Sequence, residues 1–533
     1  MAELIGPMIA TRSPQRRWPP HAPHTISRWT ELTPTVGPGL TRSRDLEGTR
    51  VAHLGIDLGT SAVKVCVTDA DGQVLATTDG PLTSQHPFPG ASEQSPDAWI
   101  DALCVAMAAL PETVRGQVSV IGLSGQMHGA VVLGPDHVPL RPAILWNDGR
   151  AVAECAAMEA AVPRIGQITG VPPMPGFTAP KLLWLSRHEP ALHAKVAHVL
   201  LPKDYLGLYL HGGLATDPSD AAGTSWFDQH TRTWSRDLCD ASATDIAWLP
   251  EVLSGEAIAG HLTAQAAERL DLPPGIPVAT GAGDGAAGAV GIGAIAPGDG
   301  FISLGTSGQL FVTTAACLPN PESRIHAYAH TLPDLWFQMA AMLNGARPMA
   351  WLAALLDRPI ADLLREAEIA APGPLFLPYL SGERTPHGDN DIRAGFWGLT
   401  ETTTQGACMR AVMEAVAFTF ADAQAAMAAG GTRPERLLAI GGGTRSDALL
   451  QMIADVMQVP LGRSDAAEVG PALGAARLGQ IALGGDPAEV ATKPEVQRWF
   501  TPDPTQSEAI APRLAGYRTL YPALKSVGEA MGR

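Results

Sequence analysis

The sequence lacks any closely spaced pair of cysteines. Its six cysteines are spread over 533 residues, at Cys66, Cys104, Cys155, Cys239, Cys317 and Cys408. Because none of them stands in a C-x-x-C spacing, the pattern argues against a zinc site and against a thioredoxin-like redox site. The separations are also too wide for a small disulfide scaffold. We therefore expect reduced thiols in a cytoplasmic protein.

Basic residues are scarce relative to acidic ones. The chain carries 37 Lys and Arg against 53 Asp and Glu, which gives a formal net charge of −16. An acidic surface repels the phosphate backbone of nucleic acids, so we expect no nucleic-acid partner. A nucleotide is not excluded, because a single site can be locally positive or rich in backbone N–H groups.

Long apolar runs are absent as well. The least polar long stretch, residues 281–298, contains Asp284 and many glycines, so no membrane helix is predicted. Residues 1–30 have no continuous apolar stretch behind a basic start, and we predict no signal peptide.

Residues 1–50 differ from the rest of the chain. They contain seven arginines and seven prolines but no lysine, and they show no hydrophobic periodicity. We interpret them as a disordered extension rather than a functional arm. The prolines also argue against the amphipathic helix of a transit peptide.

From residue 51 onwards, strand-like and helix-like stretches alternate, which predicts an α/β fold. The length of the chain calls for at least two domains. The tetrapeptide Leu-Gly-Thr-Ser occurs at 58–61 and again at 304–307, each time after an apolar strand. This repeat indicates two domains built on one plan. We place the boundary in the turn at 296–301, which gives domains at 51–296 and 301–520.

The two repeated loops are candidate phosphate sites because glycine lets consecutive N–H groups face an anion. Their residues are Gly59, Thr60 and Ser61 in the first loop and Gly305, Thr306 and Ser307 in the second. Asp57 before the first loop suits Mg²⁺, directly or through water, and Lys64 adds positive charge. An ordinary hairpin is the alternative. The second loop follows Ser303, as expected if two loops clasp one polyphosphate and only one side needs a carboxylate.

Three glycines at 441–443 follow the predicted strand 436–440 and precede a predicted helix at 447–458, with Thr444 or Ser446 as its N-cap. Bare backbone at Gly442 and Gly443 would let a flat ring or a ribose lie against the chain. A flexible connection between the strand and the helix is the alternative.

Residues 283–288 spell G-x-G-x-x-G after the predicted strand 276–280, as in dinucleotide-binding proteins. That fold needs an acidic residue at the end of the next strand, and Ser303 and Leu304 stand there instead. An NAD-dependent enzyme is therefore a weak alternative. Asp284 is better interpreted as a carboxylate at a strand–helix junction that accepts a hydroxyl proton.

Gln126, Met127 and His128 follow the predicted strand 118–123 and lie between glycines. An amide and an imidazole suit the hydroxyl groups of a small polar ligand, and a thioether suits its carbon face. A purely structural histidine is the alternative.

In this order, the motifs resemble those of the FGGY carbohydrate kinases, a family of the actin-like ATPase superfamily. The resemblance runs from residue 51 to about residue 520. It implies two actin-like (ribonuclease H-like) α/β domains with an active-site cleft between them. Further similar stretches lie at 176–185, 201–205, 215–221 and 377–384.

The resemblance also implies roles for the candidate residues. Met127, His128 and Asp284 would contact a ketose, with Asp284 as the general base. Asp57 would organise Mg²⁺, and the glycines at 442–443 would contact the adenosine of ATP. A homodimer is compatible with the family, although nothing in the residues themselves indicates one.

Within the family, residues 126–129 and 146–150 are similar to the xylulokinase branch. That similarity implies ATP-dependent phosphorylation of D-xylulose to D-xylulose 5-phosphate in pentose catabolism, in the cytoplasm. A kinase for another ketose or polyol is the alternative. The chain departs from the branch at Gly285, where asparagine is usual. It departs from a family signature at Ala407 or Cys408, where a polar or charged residue is expected.

Two other classes of protein share parts of this pattern. An actin-like chaperone or filament would need the phosphate loops but not a sugar loop with Met127 and His128. An inactive sugar sensor would not need to retain both Asp57 and Asp284.

Overall fold

The structure is a computed structural model that describes residues 51–464 and 470–531. The extension predicted at residues 1–50 lies outside the described residues. The described residues belong to one compact unit in which strands and helices alternate.

Up to residue 291 the described chain forms strands β1 (Ala52–Leu58), β2 (Ala62–Asp69), β3 (Val74–Pro81), β4 (Glu93–Gln94), β5 (Val118–Gly125), β6 (Val131–Leu133), β7 (Ala143–Ile144), β8 (His198–Leu200), β9 (Ala215–Thr216), β10 (Phe227–Asp228), β11 (Thr233–Trp234), β12 (Glu251–Val252), β13 (Ile258–His261), β14 (Pro277–Ala279) and β15 (Ala282–Gly283). The helices of this part are α1 (Pro96–Ala108), α2 (Glu112–Arg115), α3 (Val152–Ala161), α4 (Ile165–Thr169), α5 (Thr178–His188), α6 (Pro190–His193), α7 (Pro202–His211), α8 (Pro218–Ala222), α9 (Arg236–Ala241), α10 (Ala264–Leu270) and α11 (Asp284–Gly291).

After residue 291 the strands are β16 (Gly300–Leu304), β17 (Gly308–Thr314), β18 (His326–Ala329), β19 (Trp336–Met342), β20 (Leu375–Leu377), β21 (Gly395–Trp397), β22 (Leu437–Ile440), β23 (Leu461–Arg463) and β24 (Arg498–Phe500). The helices are α12 (Arg347–Leu355), α13 (Ile360–Ile369), α14 (Gln405–Ala429), α15 (Asp447–Met457), α16 (Gly470–Ala482), α17 (Pro487–Val490) and α18 (Pro504–Ala530).

Two large sheets share one strand plan. The first has the order β13-β14-β5-β1-β2-β3, and the second has the order β18-β19-β17-β16-β22-β23-β24. In the first sheet, β1 forms an antiparallel hairpin with β2 and pairs in parallel with β5. In the second sheet, β16 likewise forms an antiparallel hairpin with β17 and pairs in parallel with β22. The predicted α/β fold class, with two similar halves, is therefore confirmed.

The central strand of the first sheet is buried along its whole length. All seven residues of β1 are buried, because β2 and β5 flank it and helices cover the sheet. Strands buried on both faces carry nearly continuous apolar residues, as this segment does up to Asp57. The chain thus carries an acidic side chain to the very end of an apolar strand.

Helix α16 follows the predicted domain boundary in sequence, yet it packs against the first sheet. A Cβ at Gly55 would lie 1.9 Å from the carbonyl oxygen of Ala472, and one at Gly122 would lie 1.8 Å from that of Ala475. Bare backbone on β1 and β5 therefore lets α16 approach the strands directly. Helix α16, from the second half of the chain, thus packs directly on the sheet of the first half. The domain boundary at 296–301 stays a prediction.

The predicted local elements are confirmed with small shifts at their ends. The predicted strand at 118–123 is β5, the predicted strand at 436–440 is β22, and the predicted helix at 447–458 is α15. Ser446 is the N-cap of α15, since its hydroxyl accepts the N–H of Leu449 at 3.2 Å. Among the described residues, no helix is long and apolar enough to cross a membrane.

Candidate active site

Three parallel strands of the first sheet end at the same edge. Strand β5 pairs in parallel with both β1 and β15, so that Asp57 aligns with Ser124 and Ser124 aligns with Ala282. The residues that follow these strand ends must lie close together. This register brings Asp57, the loop 126–128 and Asp284 to one edge, where α/β proteins commonly bind ligands.

Asp284 is the first residue of α11, directly after β15. The residue is exposed to solvent, although many protein atoms lie around its carboxyl group. Burial and the negative charge of Asp57 raise the pKa of Asp284 to about 7. A hydrogen bond from the N–H of Gly285 partly opposes this rise. A carboxylate with a pKa near neutrality suits a general base.

Asp57 is the more enclosed of the two carboxylates. It is 7% exposed, and it accepts a hydrogen bond from the Ser124 hydroxyl at 3.0 Å. Burial raises its pKa, and both the Ser124 bond and the charge of Lys64 oppose that rise. Lys64 is exposed and is the cross-strand partner of Asp57 on β2. In the described part of the chain, neither Asp57 nor Asp284 forms an ion pair within 4 Å.

The polar groups of the Gln126 and Thr60 side chains form hydrogen bonds with other protein side chains. The Thr60 hydroxyl donates to Gln126 Oε1 at 3.0 Å and accepts the indole N–H of Trp146 at 2.9 Å. The amide nitrogen of Gln126, only 2% exposed, lies 3.3 Å from Gln94 Oε1. The predicted ligand contacts of these two groups therefore stay predictions, and the exposed Ser61 offers the free hydroxyl of the loop.

Met127 and His128, which stay a predicted ligand-binding pair, follow the end of β5. A Cβ on Gly283 would lie 2.8 Å from Met127 Cγ, so the Met127 side chain covers the residue before Asp284. His128 has a left-handed φ of 69°, and its ring stacks on Phe177 with the centroids 4.4 Å apart.

The hydrogen bond of His128 fixes how its ring is protonated. Nδ1 lies 2.6 Å from the carbonyl oxygen of Gly223, which can only accept, so Nδ1 carries the hydrogen. Burial lowers the pKa of His128 to about 3, so the ring is neutral near pH 7. Nε2 of His128 is then an acceptor suited to a hydroxyl group.

The second sheet brings the other two motifs together. Because β16 and β22 are parallel and Ser303 aligns with Ile440, the loop 305–307 and the glycines 441–443 follow adjacent strand ends. A Cβ at Gly443 would lie 2.9 Å from Leu304 Cβ, whereas one at Gly442 would meet no atom within 4 Å. Gly442 therefore presents open backbone beside the second loop.

That second loop is anchored to the start of α12. The N–H groups of Ala346 and Gly345 donate to the carbonyl oxygens of Gly305, at 2.8 Å, and Thr306, at 3.2 Å. The side chains of Thr306 and Ser307 are exposed. The loop thus keeps two hydroxyl groups available for an anion.

Arg384, which no sequence motif singled out, lies near enough to His128 for its positive charge to help lower the pKa of that ring. In the described chain its guanidinium forms no ion pair or hydrogen bond, although Glu383 beside it bonds the N–H of Leu343 at 2.6 Å. Burial, with a smaller contribution from the charge of Arg384, lowers the pKa of His326 to about 3. The only sequence signal was its place in the family-like stretch 377–384.

Gly285 leaves unfilled space beside Asp284. A Cβ there would meet only the Sδ atom of Met339, at 3.9 Å, and its backbone is not in a left-handed conformation. A β-carbon at this position would therefore displace no protein atom.

Two similar α/β halves, with a carboxylate pair at one sheet edge and glycine–hydroxyl loops at both, define a nucleotide-dependent kinase of small polyhydroxy compounds. Comparison with known proteins gives the family. Residues 52–291 match the N-terminal domain of the FGGY family of carbohydrate kinases, and residues 300–483 match its C-terminal domain. The chain belongs to this family.

Its relatives are similar over most of their length. The chain is 42% identical over 479 residues to a xylulose kinase from Escherichia coli K12, covering 89% of this chain and 99% of that protein. It is 43% identical over 437 residues to a xylulose kinase from Klebsiella pneumoniae, covering 81% and 90%. A crystal structure of a xyloylose kinase from Brucella ovis matches with a TM-score of 0.86 and 42% identity, over 89% of this chain and all of that one.

Proposed function

We propose that this chain transfers the γ-phosphoryl group of ATP to the O5 hydroxyl of D-xylulose, giving D-xylulose 5-phosphate and ADP. The observation that carries the proposal is the position of Asp284, at the meeting point of three strand ends beside Met127. The names of the relatives at 42% and 43% identity support the choice of sugar.

Asp284 acts as the general base. Its carboxylate accepts the O5 proton while O5 bonds to the γ-phosphorus and the bond to the β–γ bridging oxygen breaks, so ADP leaves. Phosphoryl transfer has a loose transition state and asks mainly for positioning. A base with a pKa of about 7 is therefore strong enough.

Both sheets contribute to nucleotide binding. The exposed groups of Ser61, Lys64, Thr306 and Ser307 face the phosphates, and the open backbone at Gly442, with Gly443 next to it, receives the adenosine. Asp284 and the nucleotide glycines come from different sheets. Binding of the sugar should therefore favour closure, which excludes water and suppresses ATP hydrolysis.

The residues present also fit Mg²⁺. The described residues contain no group of three or more side chains that could hold a metal by themselves. Mg²⁺ is commonly held by one or two carboxylates together with nucleotide phosphates, and Asp57 provides such a carboxylate, with no ion pair within 4 Å among the described residues. When bound, the ion neutralises phosphate charge. We place the reaction in the cytoplasm, in keeping with six unpaired thiols.

The test is ADP release by the purified chain with Mg-ATP and a panel of acceptors. The panel contains D-xylulose, D-ribulose, L-ribulose, glycerol, gluconate, xylitol and no sugar. We expect release to be strongest with D-xylulose. Preference for another acceptor would reject the sugar but keep the reaction, and it would direct attention to the space beside Gly285. No release with any acceptor would reject the proposed activity.

A further inference from the structure

A buried cluster of charges lies next to the candidate site but is not used in the proposed chemistry. Lys203, at the start of α7, places its ammonium 2.5 Å from Asp204, 3.3 Å from Asp217 and 3.8 Å from Asp220. The Lys203 side chain is 1% exposed and the three carboxylates are 0% exposed. One ammonium thus faces three carboxyl groups away from water.

The cluster is poorly satisfied as a purely structural element. One oxygen each of Asp204 and Asp217, and both oxygens of Asp220, lie buried without a hydrogen-bond partner. Burial raises the pKa of Asp220 well above its usual value. Buried carboxyl oxygens that lack hydrogen bonds oppose folding even beside an ammonium group, so stability alone does not account for three acids around one lysine.

Two connections lead from this cluster to the residues just before Asp284. The Lys203 ammonium donates to the carbonyl oxygen of Thr280 at 3.3 Å. Asp217 accepts the Ser219 hydroxyl at 2.5 Å, and that hydroxyl oxygen accepts the N–H of Gly283 at 3.1 Å. Both ends of segment 280–283 are therefore tied to the buried charges.

The start of that segment has further support, because the N–H groups of Thr280 and Gly281 donate to the carbonyl oxygens of Ala257 and Gly255, each at 2.9 Å, and the Thr331 hydroxyl donates to the carbonyl oxygen of Gly281 at 2.8 Å. Its far end, at Ala282 and Gly283, leads directly into Asp284. Strand β15 is only two residues long, and Gly281 before it has a φ of 88°. Two residues of strand pairing hold a chain weakly, and glycine adds backbone freedom. The orientation of Asp284 at the start of α11 consequently depends on what fixes residues 280–283.

We propose that Lys203 and Ser219 are positioning residues for Asp284. Through Thr280 and Gly283 they hold the strand end at which its carboxylate meets the acceptor hydroxyl. The inference rests on the proposed function of Asp284 as general base. Because a displacement of about 1 Å can cost on the order of 100-fold in rate, such support has a measurable effect on turnover.

The test uses Ser219→Ala, which removes one hydroxyl and leaves every charge of the cluster in place. Its matched control is Ser242→Ala, because Ser242 is also 0% exposed and its hydroxyl accepts an N–H, that of Trp226 at 2.7 Å, away from Asp284. We expect kcat with D-xylulose to fall about 10- to 100-fold in Ser219→Ala, with the KM for ATP unchanged. The control should keep its kcat.

A second readout does not depend on activity. Hydrogen–deuterium exchange of the peptide covering residues 281–286 should speed up in Ser219→Ala and stay unchanged in Ser242→Ala. Wild-type kcat in Ser219→Ala, or unchanged exchange in that peptide, would overturn the positioning role. Full turnover by Asp284→Asn in the same assay would instead show that the proposed base is wrong.

Discussion

The two halves of the molecule present the same loop with different chemistry around it. In the first hairpin Asp57 is the cross-strand partner of Lys64, whereas in the second the equivalent pair is Ser303 and Gln309. Both hairpins follow the central strand of a similarly ordered sheet. The repeated tetrapeptide therefore encodes a backbone shape, and the neighbouring residues decide which half carries charge.

This division extends beyond the hairpins. The first half contributes Asp284 and the buried Lys203 cluster, while the second contributes bare glycine backbone at 441–443 and exposed hydroxyl groups. We infer that the first half performs proton transfer and holds the acceptor, and that the second half mainly receives the nucleotide. Each substitution below tests that division.

The largest expected effect is the loss of the buried cation. Lys203→Met leaves three buried carboxyl groups without their counter-charge and should lower the free energy of unfolding by about 3–5 kcal/mol. Urea denaturation monitored by circular dichroism measures this change. An exposed lysine of the same half provides the control, and Lys64→Met should alter stability by less than ~0.5 kcal/mol. Equal effects of the two substitutions would refute the comparison.

The hairpin comparison predicts unequal effects at equivalent positions. Asp57→Asn removes the charge expected to organise the metal and the phosphates, and kcat should fall on the order of 100- to 1000-fold. Ser303→Ala, at the matching position of the second hairpin, should change kcat by less than about 5-fold. Steady-state kinetics at saturating Mg-ATP gives both values. Comparable losses would mean that the two hairpins share the charge-bearing role.

Open backbone at Gly442 predicts a selective effect on the nucleotide. Gly442→Ala meets no protein atom, so it should fold normally but raise the KM for ATP about 10-fold, equivalent to ~1.4 kcal/mol. Gly528→Ala is the matched control, because a Cβ there also meets no atom within 4 Å. An unchanged KM for ATP in Gly442→Ala would argue against an adenosine site at these glycines.

The pKa of Asp284, a residue of the first half, predicts how kcat/KM depends on pH. As a base, Asp284 works deprotonated, so kcat/KM for D-xylulose should rise with pH and level off above about 7. His128, with a pKa of about 3, should not contribute to the profile near neutrality. A profile that is flat from about pH 5.5 to 8.5 would contradict the assignment.

The same pKa also affects the stability of the fold, which should decrease with rising pH where the activity increases. The folded-state pKa of Asp284 is raised, so the stabilising contribution is present below its unfolded pKa and is lost as pH rises through about 7. In the ligand-free protein, Asp284→Asn should therefore raise the melting temperature at pH 8, with a smaller gain at pH 5. Equal gains at both pH values would show that Asp284 is not the titrating group.

The features that could be predicted from the sequence are those that depend on residues close to one another along the chain. The strand before Asp57 and the Ser446 cap of α15 depend on residues a few positions apart, and both are confirmed. The bond between Thr60 and Gln126 joins residues 66 positions apart, and the packing of Ala472 on Gly55 joins residues still further apart. Such contacts depend on strand order and register, which local patterns do not specify.

The Lys203 cluster shows the same limit. Its members lie in two stretches that matched the family, but no spacing indicated that one ammonium would meet three carboxyl groups. The one signal in the sequence was the Lys203-Asp204 pair at the start of an otherwise largely apolar helix. Only the fold shows that the cluster reaches the strand that ends at Asp284.

The most direct test of the account compares ADP formation by the wild-type chain and by Asp284→Asn, each with and without D-xylulose. Asparagine keeps the shape of the side chain but cannot accept the proton. If Asp284 is the general base, turnover in the wild type depends on D-xylulose and falls at least about 100-fold in the variant, with ATP binding retained. Equal turnover by the two proteins would contradict it.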